Sequence, residues 1–131
     1  MKYLILIFIT ALGISNSLAQ SSPLPDDGTT TSAMQNLSLQ GLHSPEKPIS
    51  ARPLFTGAKG TTTALQILKG GQLKSHTSDV KALLICLSGQ VSYGTSQGET
   101  QTLSPGGYLF IEPQVEHWVD GLEDSQLLLI K

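Results

Sequence analysis

The sequence predicts an all-β domain, and three observations carry that prediction. From Ile49 onward, short runs rich in Val, Ile, Leu, Thr and Tyr recur at intervals of about eight to twelve residues, the rhythm of a sandwich or barrel. The breaks between them are filled by Gly, Ser, Asp and Pro, the residues that turns select. No stretch of the region keeps an apolar i, i+3, i+4, i+7 spacing long enough for a substantial helix.

The expected strands follow in order, each bounded by its own breaker. Arg52–Phe55 ends at Gly57–Gly60, and Thr62–Leu68 ends at Gly70-Gly71. Gln72–His76 and Val80–Leu87 come next, the latter closed by Ser88-Gly89. Val91–Tyr93 and Thr100–Leu103 flank Gly94–Gly98, which reads as a hairpin loop. Tyr108–Ile111 follows Ser104–Gly107, His117–Val119 follows the bend Glu112–Glu116, and Gln126–Ile130 follows Gly121–Asp124.

Two segments precede this domain. Lys2, the apolar run Tyr3 to Ile14 and the small-x-small signal Ser17-Leu18-Ala19 give residues 1–19 the layout of a secretory signal peptide. The apolar run is shorter than the roughly 20 residues of a membrane span. Cleavage, no stable span afterwards, and export to a periplasm or the exterior are therefore expected. Residues 20–48 are rich in Pro, Ser, Thr, Gly and acidic side chains and read as a flexible polar linker, with a short ordered piece around Met34–Leu42. His43, beside Ser44-Pro45, is expected to be a solvated loop residue. Residues 49–131 are the expected β-barrel domain.

Composition narrows the partners. Eight Lys+Arg against ten Asp+Glu give a formal net charge of −2, with no basic cluster. That balance argues against nucleic acid or an anionic membrane surface. Cys86 is the single cysteine, so no intramolecular disulfide can form. It lies mid-strand in ALLICL, where a free cysteine behaves as a small buried hydrophobe. Gly94-Thr95-Ser96-Gln97-Gly98 matches G-x-S-x-G. A nucleophile elbow needs a strand before it and a helix after it, and here strands flank it on both sides.

The chemistry-bearing residues sit in GGQLKSHTSDVKALLICLSG (70–89) and PGGYLFIEPQVEHWV (105–119). Gly70 is followed after five residues by His76, and Gly89 closes that segment; Gly106 leads through Glu112 and Gln114 to His117. These offsets resemble the two motifs of the cupin superfamily, in which Gly is followed by His-x-His, Glu and Gly, and then by Gly, Pro-x-Gly and His. The glycines and two of the histidines are in register. Ser78 and Ala82 stand where the family carries a second His and the Glu, and Glu112 and Gln114 replace the Pro and Gly. The resemblance covers about residues 50–131 and implies a jelly-roll β-barrel, the double-stranded β-helix, with both histidines turned inward.

Strand alternation places residues 74, 76 and 78 on one face. Lys74, His76, Ser78 and His117 are accordingly the expected ligand-binding residues. Three roles stand open for the histidines. They could hold a small polar molecule, a sugar or a carboxylate, by hydrogen bonds. They could hold a divalent metal, not tightly, since two imidazoles fall short of a full donor set. They could also be inner polar residues satisfied by neighbours. The sequence thus leaves a non-catalytic binder, a metal-dependent isomerase, lyase or oxygenase, and a structural module as alternatives, with binding favoured because Ala82 removes the family carboxylate. Trp118, on the face opposite His117, reads as a packing residue. Leu83, Ile85 and Leu87, and both faces of QLLLI, make an outer sheet face too apolar for solvent, and the resemblance favours its burial in a homodimer.

Overall fold

The computed structural model describes residues 37–131, and the expected signal peptide lies outside them. Nine strands form among the described residues: β1 (Ile49–Thr56), β2 (Thr61–Ile67), β3 (Gln72–His76), β4 (Ala82–Ser88), β5 (Val91–Thr95), β6 (Thr100–Leu103), β7 (Tyr108–Ile111), β8 (His117–Gly121) and β9 (Ser125–Ile130). Among the described residues the one helical element is a single 3-10 turn at Gln40–Leu42. All nine correspond to runs expected from the sequence.

The strands divide between two antiparallel sheets. One has the order β3-β8-β5-β6 and the other β1-β2-β9-β4-β7. Strands consecutive in sequence repeatedly alternate between the two sheets, so the inward side chains of both meet in one core. Leu65, Ile67, Ala82, Leu84, Cys86, Val91, Tyr93, Leu103, Leu109, Ile111, Val119 and Leu127 fill it. Alternation explains the selection: in β4, Ala82, Leu84 and Cys86 are buried, whereas Leu83 and Ile85 are half-buried and Leu87 is exposed.

The motif glycines hold the turns. Gly70, Gly89 and Gly106 all have φ between +81° and +89°, in the left-handed region. Gly89 is the most constrained, because a Cβ there would lie 2.2 Å from the Asp124 carbonyl oxygen. Gln114 adopts φ +65° without being glycine, so the bend before His117 keeps the left-handed turn at the position where the family places Gly.

The expected linker needs correction over its described part. His43 is buried, and its Nδ1 lies 2.7 Å from Ser50 Oγ. Gln66, on the outer face of β2, donates from Nε2 to the carbonyls of Ser44 and Lys47 at 2.8 and 3.1 Å. Residues 37–48 are therefore tied to the five-stranded sheet, and His43 is not solvated. The attachment is made by polar hydrogen bonds, which apolar periodicity does not encode.

Candidate functional site: two histidines at a small cavity

β3 and β8 are hydrogen-bonded neighbours, and their register sets His76 directly opposite His117. The ring centroids lie 4.3 Å apart at an interplanar angle of 56°. Tyr93, from β5 on the other side of β8, stacks on His117 at 5.5 Å and 24°. His117 is almost fully buried, while His76 is exposed at the mouth. The two histidines thus mark the inner and outer ends of one short path.

The backbone fixes both imidazoles in the same tautomer. Nδ1 of His76 is 2.7 Å from the Lys74 carbonyl, and Nδ1 of His117 is 2.9 Å from the Val115 carbonyl. A carbonyl oxygen only accepts, so each Nδ1 carries the proton and each neutral ring keeps its lone pair on Nε2. Burial pushes the His117 pKa below its ordinary value, opposed by the Val115 hydrogen bond and reinforced by His76 and Lys131. At neutral pH, His117 presents an acceptor.

A cavity of about 40 Å³ opens beside these rings. Its walls are apolar side chains of both sheets, among them Leu65, Leu84, Ile111 and Val119, and its polar groups are His76, Thr77, Ser78, His117 and Lys131. One water requires about 10–15 Å³ on this measure, so the cavity admits a group of a few atoms and no whole sugar.

The sequence-expected residues divide. His76, His117 and Ser78 meet at the cavity, and Ala82 lines it as well. Lys74 does not. Trp118 in β8 stands opposite two residues, Lys74 and Ser75, so β3 carries a bulge there. The extra residue resets the alternation, and Leu73 accompanies His76 at the cavity in place of Lys74. Lys74 contributes its carbonyl to His76 and not its ammonium. Ser78 donates its hydroxyl proton to the Val80 carbonyl at 2.7 Å, leaving Oγ as an acceptor. Lys131 and Tyr93 were not anticipated. Nothing local marks them: both reach the site through strand pairing distant in sequence.

The donor set does not fit a tightly held metal. Among the described residues no group of three or more His, Cys, Asp or Glu is placed to bind an ion. Two Nε2 atoms are available, but Ala82 has no donor and the Ser78 hydroxyl is a neutral, already engaged group. Elsewhere, Cys86 is buried with Sγ directed at the Ser88 and Gly89 carbonyls, and burial pushes its thiol pKa up. That is an inert thiol. The G-x-S-x-G segment is the β5–β6 hairpin, where Thr95 N–H donates to Glu99 O and Gly98 N–H to Thr95 O. Trp118 covers Gly94 across the sheet, its indole occupying the space a Cβ would take.

No family model matches the chain, and no curated protein matches it by sequence. Solved structures do resemble it. A cupin superfamily protein from Desulfitobacterium hafniense superposes with a TM-score of 0.66 at 16% identity, over 76% of this chain and 92% of that one. A conserved protein of unknown function from Streptococcus pyogenes gives 0.64 at 20% identity, over 78% and 90%. An RmlC-like cupin family protein with a double-stranded β-helix fold, from Methanocaldococcus jannaschii, gives 0.59 at 13%, over 68% and 84%. At these identities the likeness is one of fold, and together with the strand order it gives the described domain the cupin-type double-stranded β-helix fold.

Proposed function

We propose that this barrel binds a small hydroxylated carboxylic acid, with one end of the ligand entering the cavity beside His76 and His117. The observation that carries the reading is the pair of backbone-fixed Nε2 acceptors at a cavity whose one formally charged lining residue is Lys131. A hydroxyl donates to His117 Nε2 or to Ser78 Oγ, and the carboxylate faces the Lys131 ammonium at the mouth. The absence of Asp or Glu from the lining leaves an anion unopposed. Only the terminal group fits inside, so the body of the ligand lies across Thr77 and the exposed edge of His76.

Two further parts of the reading rest on separate observations. The leader-like residues 1–19 make the binder an exported one, which N-terminal sequencing of the mature protein tests. The outer face of the five-stranded sheet carries Leu83, Ile85, Tyr108, Phe110, Leu128 and Ile130 in adjacent register, and a second copy of the chain is the partner assigned to it. The ligand itself is tested by titrating glycolate, lactate and glycerate into the protein and following backbone NMR shifts. Saturable shifts at residues 76–78, 117 and 131 support the reading. Equal response to ethylene glycol and glycolate would remove the carboxylate from it, and no response would remove the ligand.

A further inference from the structure

Residues 37–48 are strapped to the five-stranded sheet by an anchor that is a histidine. His43 is the one buried side chain among them; Leu39 and Leu42 are half-buried, and Leu37 is exposed. The strap therefore drives no apolar residue fully into the sheet, and its seat is polar. Ser50 of β1, Gln66 of β2, Gln126 of β9 and Ser88 of β4 stand opposite one another in register, a polar row across four strands. His43 Nδ1 sits on Ser50 Oγ, and Gln66 Nε2 donates to the Ser44 and Lys47 carbonyls. The strap ends at Pro48, whose carbonyl accepts from Leu68 N–H at 2.9 Å, and β1 begins at the next residue.

This seat leaves two polar atoms unmatched. Because Gln66 gives its Nε2 to the strap, its Oε1 is turned to Gln126 and accepts from Gln126 Nε2 at 2.9 Å. Gln126 Oε1 is then buried with no partner, and so is His43 Nε2. These two are the buried unpartnered side-chain atoms among the described residues, and both belong to the seat of the strap. Such atoms favour any state in which water reaches them. Lifting the strap hydrates His43 Nε2 and frees Gln66 from the orientation that leaves Gln126 Oε1 unmatched.

Protonation sharpens the mismatch, since a charged ring carries N–H on both nitrogens and Nε2–H becomes a buried ionic donor without an acceptor. The surroundings supply no counter-charge. β1 contributes Arg52, a like charge, while β2, β9 and β4 contribute the neutral Gln66, Gln126 and Ser88. On the strap, Glu46 accepts from Ser44 Oγ and Lys47 is exposed; ahead of β9, Asp124 accepts from Lys69 N–H. We propose that residues 37–48 are an acid-released strap: protonation of His43 lifts them from the sheet while the strands of the barrel stay paired. Burial, and then the charge of Arg52, hold the pKa of the seated ring below its ordinary value. The lifted form therefore takes up the proton first, near pH of about 6.5, and the ratio of lifted to seated rises by up to about tenfold from pH 7.5 to 5.5. Lifted and extended, residues 37–48 add up to about 40 Å of reach between the barrel and the chain ahead of it. No strap residue lines the histidine cavity, so this device and the ligand reading stand or fall separately.

The test is native-state hydrogen exchange of the full chain at pH 7.5, 6.5 and 5.5, corrected for intrinsic rates and repeated in low urea. The probes are the His43 amide on the strap and the Leu68 amide, which donates from the sheet to the strap; amides of β5 and β8 report the barrel. The expected result is a lifted-to-seated ratio at His43 and Leu68 that exceeds the opening of β5 and β8 at every pH. It should be insensitive to low urea, as a local opening is, and should rise toward tenfold on acidification. His43→Phe keeps a ring in the seat without a titrating nitrogen and should abolish the pH response at the strap. Arg52→Gln lets the seated ring protonate more readily and should shrink that response. A ratio that stays constant from pH 7.5 to 5.5, strap amides that exchange only together with β5 and β8, or a pH response that survives in His43→Phe would each overturn the proposal.

Discussion

Acidification should weaken this fold before any carboxylate titrates, because two histidines are buried in neutral form. His43 has its Nδ1 against Ser50 Oγ, while its Nε2 is buried without a partner among the described residues. Burial lowers its pKa, and the charge of Arg52 lowers it further. His117 is lowered mainly by burial as well. A lowered folded pKa means that the unfolded chain takes up the proton first. Above the unfolded value of about 6.5 both states are neutral and stability is level. Below it the unfolded chain binds more protons, and stability falls until the folded values are reached. Each histidine contributes a slope of at most about 1.4 kcal/mol per pH unit, so the pair costs about 2 kcal/mol between pH 7.5 and 5.5. In urea that loss moves the unfolding midpoint by about 1–2 M. The assay is urea unfolding at pH 7.5, 6.5 and 5.5 for the parent chain and for His43→Gln and His117→Gln. Each substitution should remove about half of the pH dependence. A midpoint independent of pH over this range, or a slope that survives both substitutions together, would refute the reasoning.

Three further outcomes follow from the geometry. Gln114→Gly should stabilise the domain by about 0.5–1 kcal/mol, since Gln114 holds φ +65° that glycine adopts freely; thermal unfolding reads this directly. Ser78→His with Ala82→Glu puts a third imidazole and a carboxylate at the cavity, and should convert a chain that retains no stoichiometric divalent ion into one that does, by elemental analysis after desalting. Ile85→Lys places a charge in the apolar outer face, and should convert a dimer into a monomer by light scattering; a monomeric parent chain would remove the dimer from the account.

Much of the fold was legible because turn residues bound each strand. Gln72–His76, Thr100–Leu103 and Tyr108–Ile111 run between the same residues in the structure as in the sequence reading. Where boundaries moved, a local signal was outvoted by pairing. β5 continues through Gly94 to Thr95 because Trp118 lies over that glycine, and β8 runs on to Gly121 opposite Val91. β1 begins at Ile49, paired with Ile67, at the expected start of the domain but ahead of the expected strand at Arg52.

The site was legible only in part. The glycine offsets located His76 and His117, and they meet face to face. Strict alternation then assigned Lys74 to the same face, and the bulge opposite Trp118 reversed that assignment. A bulge inserts one residue without changing composition, so periodicity cannot register it. Lys131 and Tyr93 join the site from β9's end and from β5, and His43 is held by the Ser50 hydroxyl. These are tertiary contacts between unremarkable positions, which no spacing rule encodes.

The central claim is that His76 and His117 hold an organic acid without a resident metal. Its most direct test is calorimetric titration of glycolate into chain purified without chelator, paired with metal analysis of the same sample and of His76→Ala and Ser78→Ala. The account predicts saturable binding to metal-free protein, lost in His76→Ala and weakened in Ser78→Ala. Near-stoichiometric metal that disappears in His76→Ala, or glycolate binding that persists in it unchanged, would contradict the account.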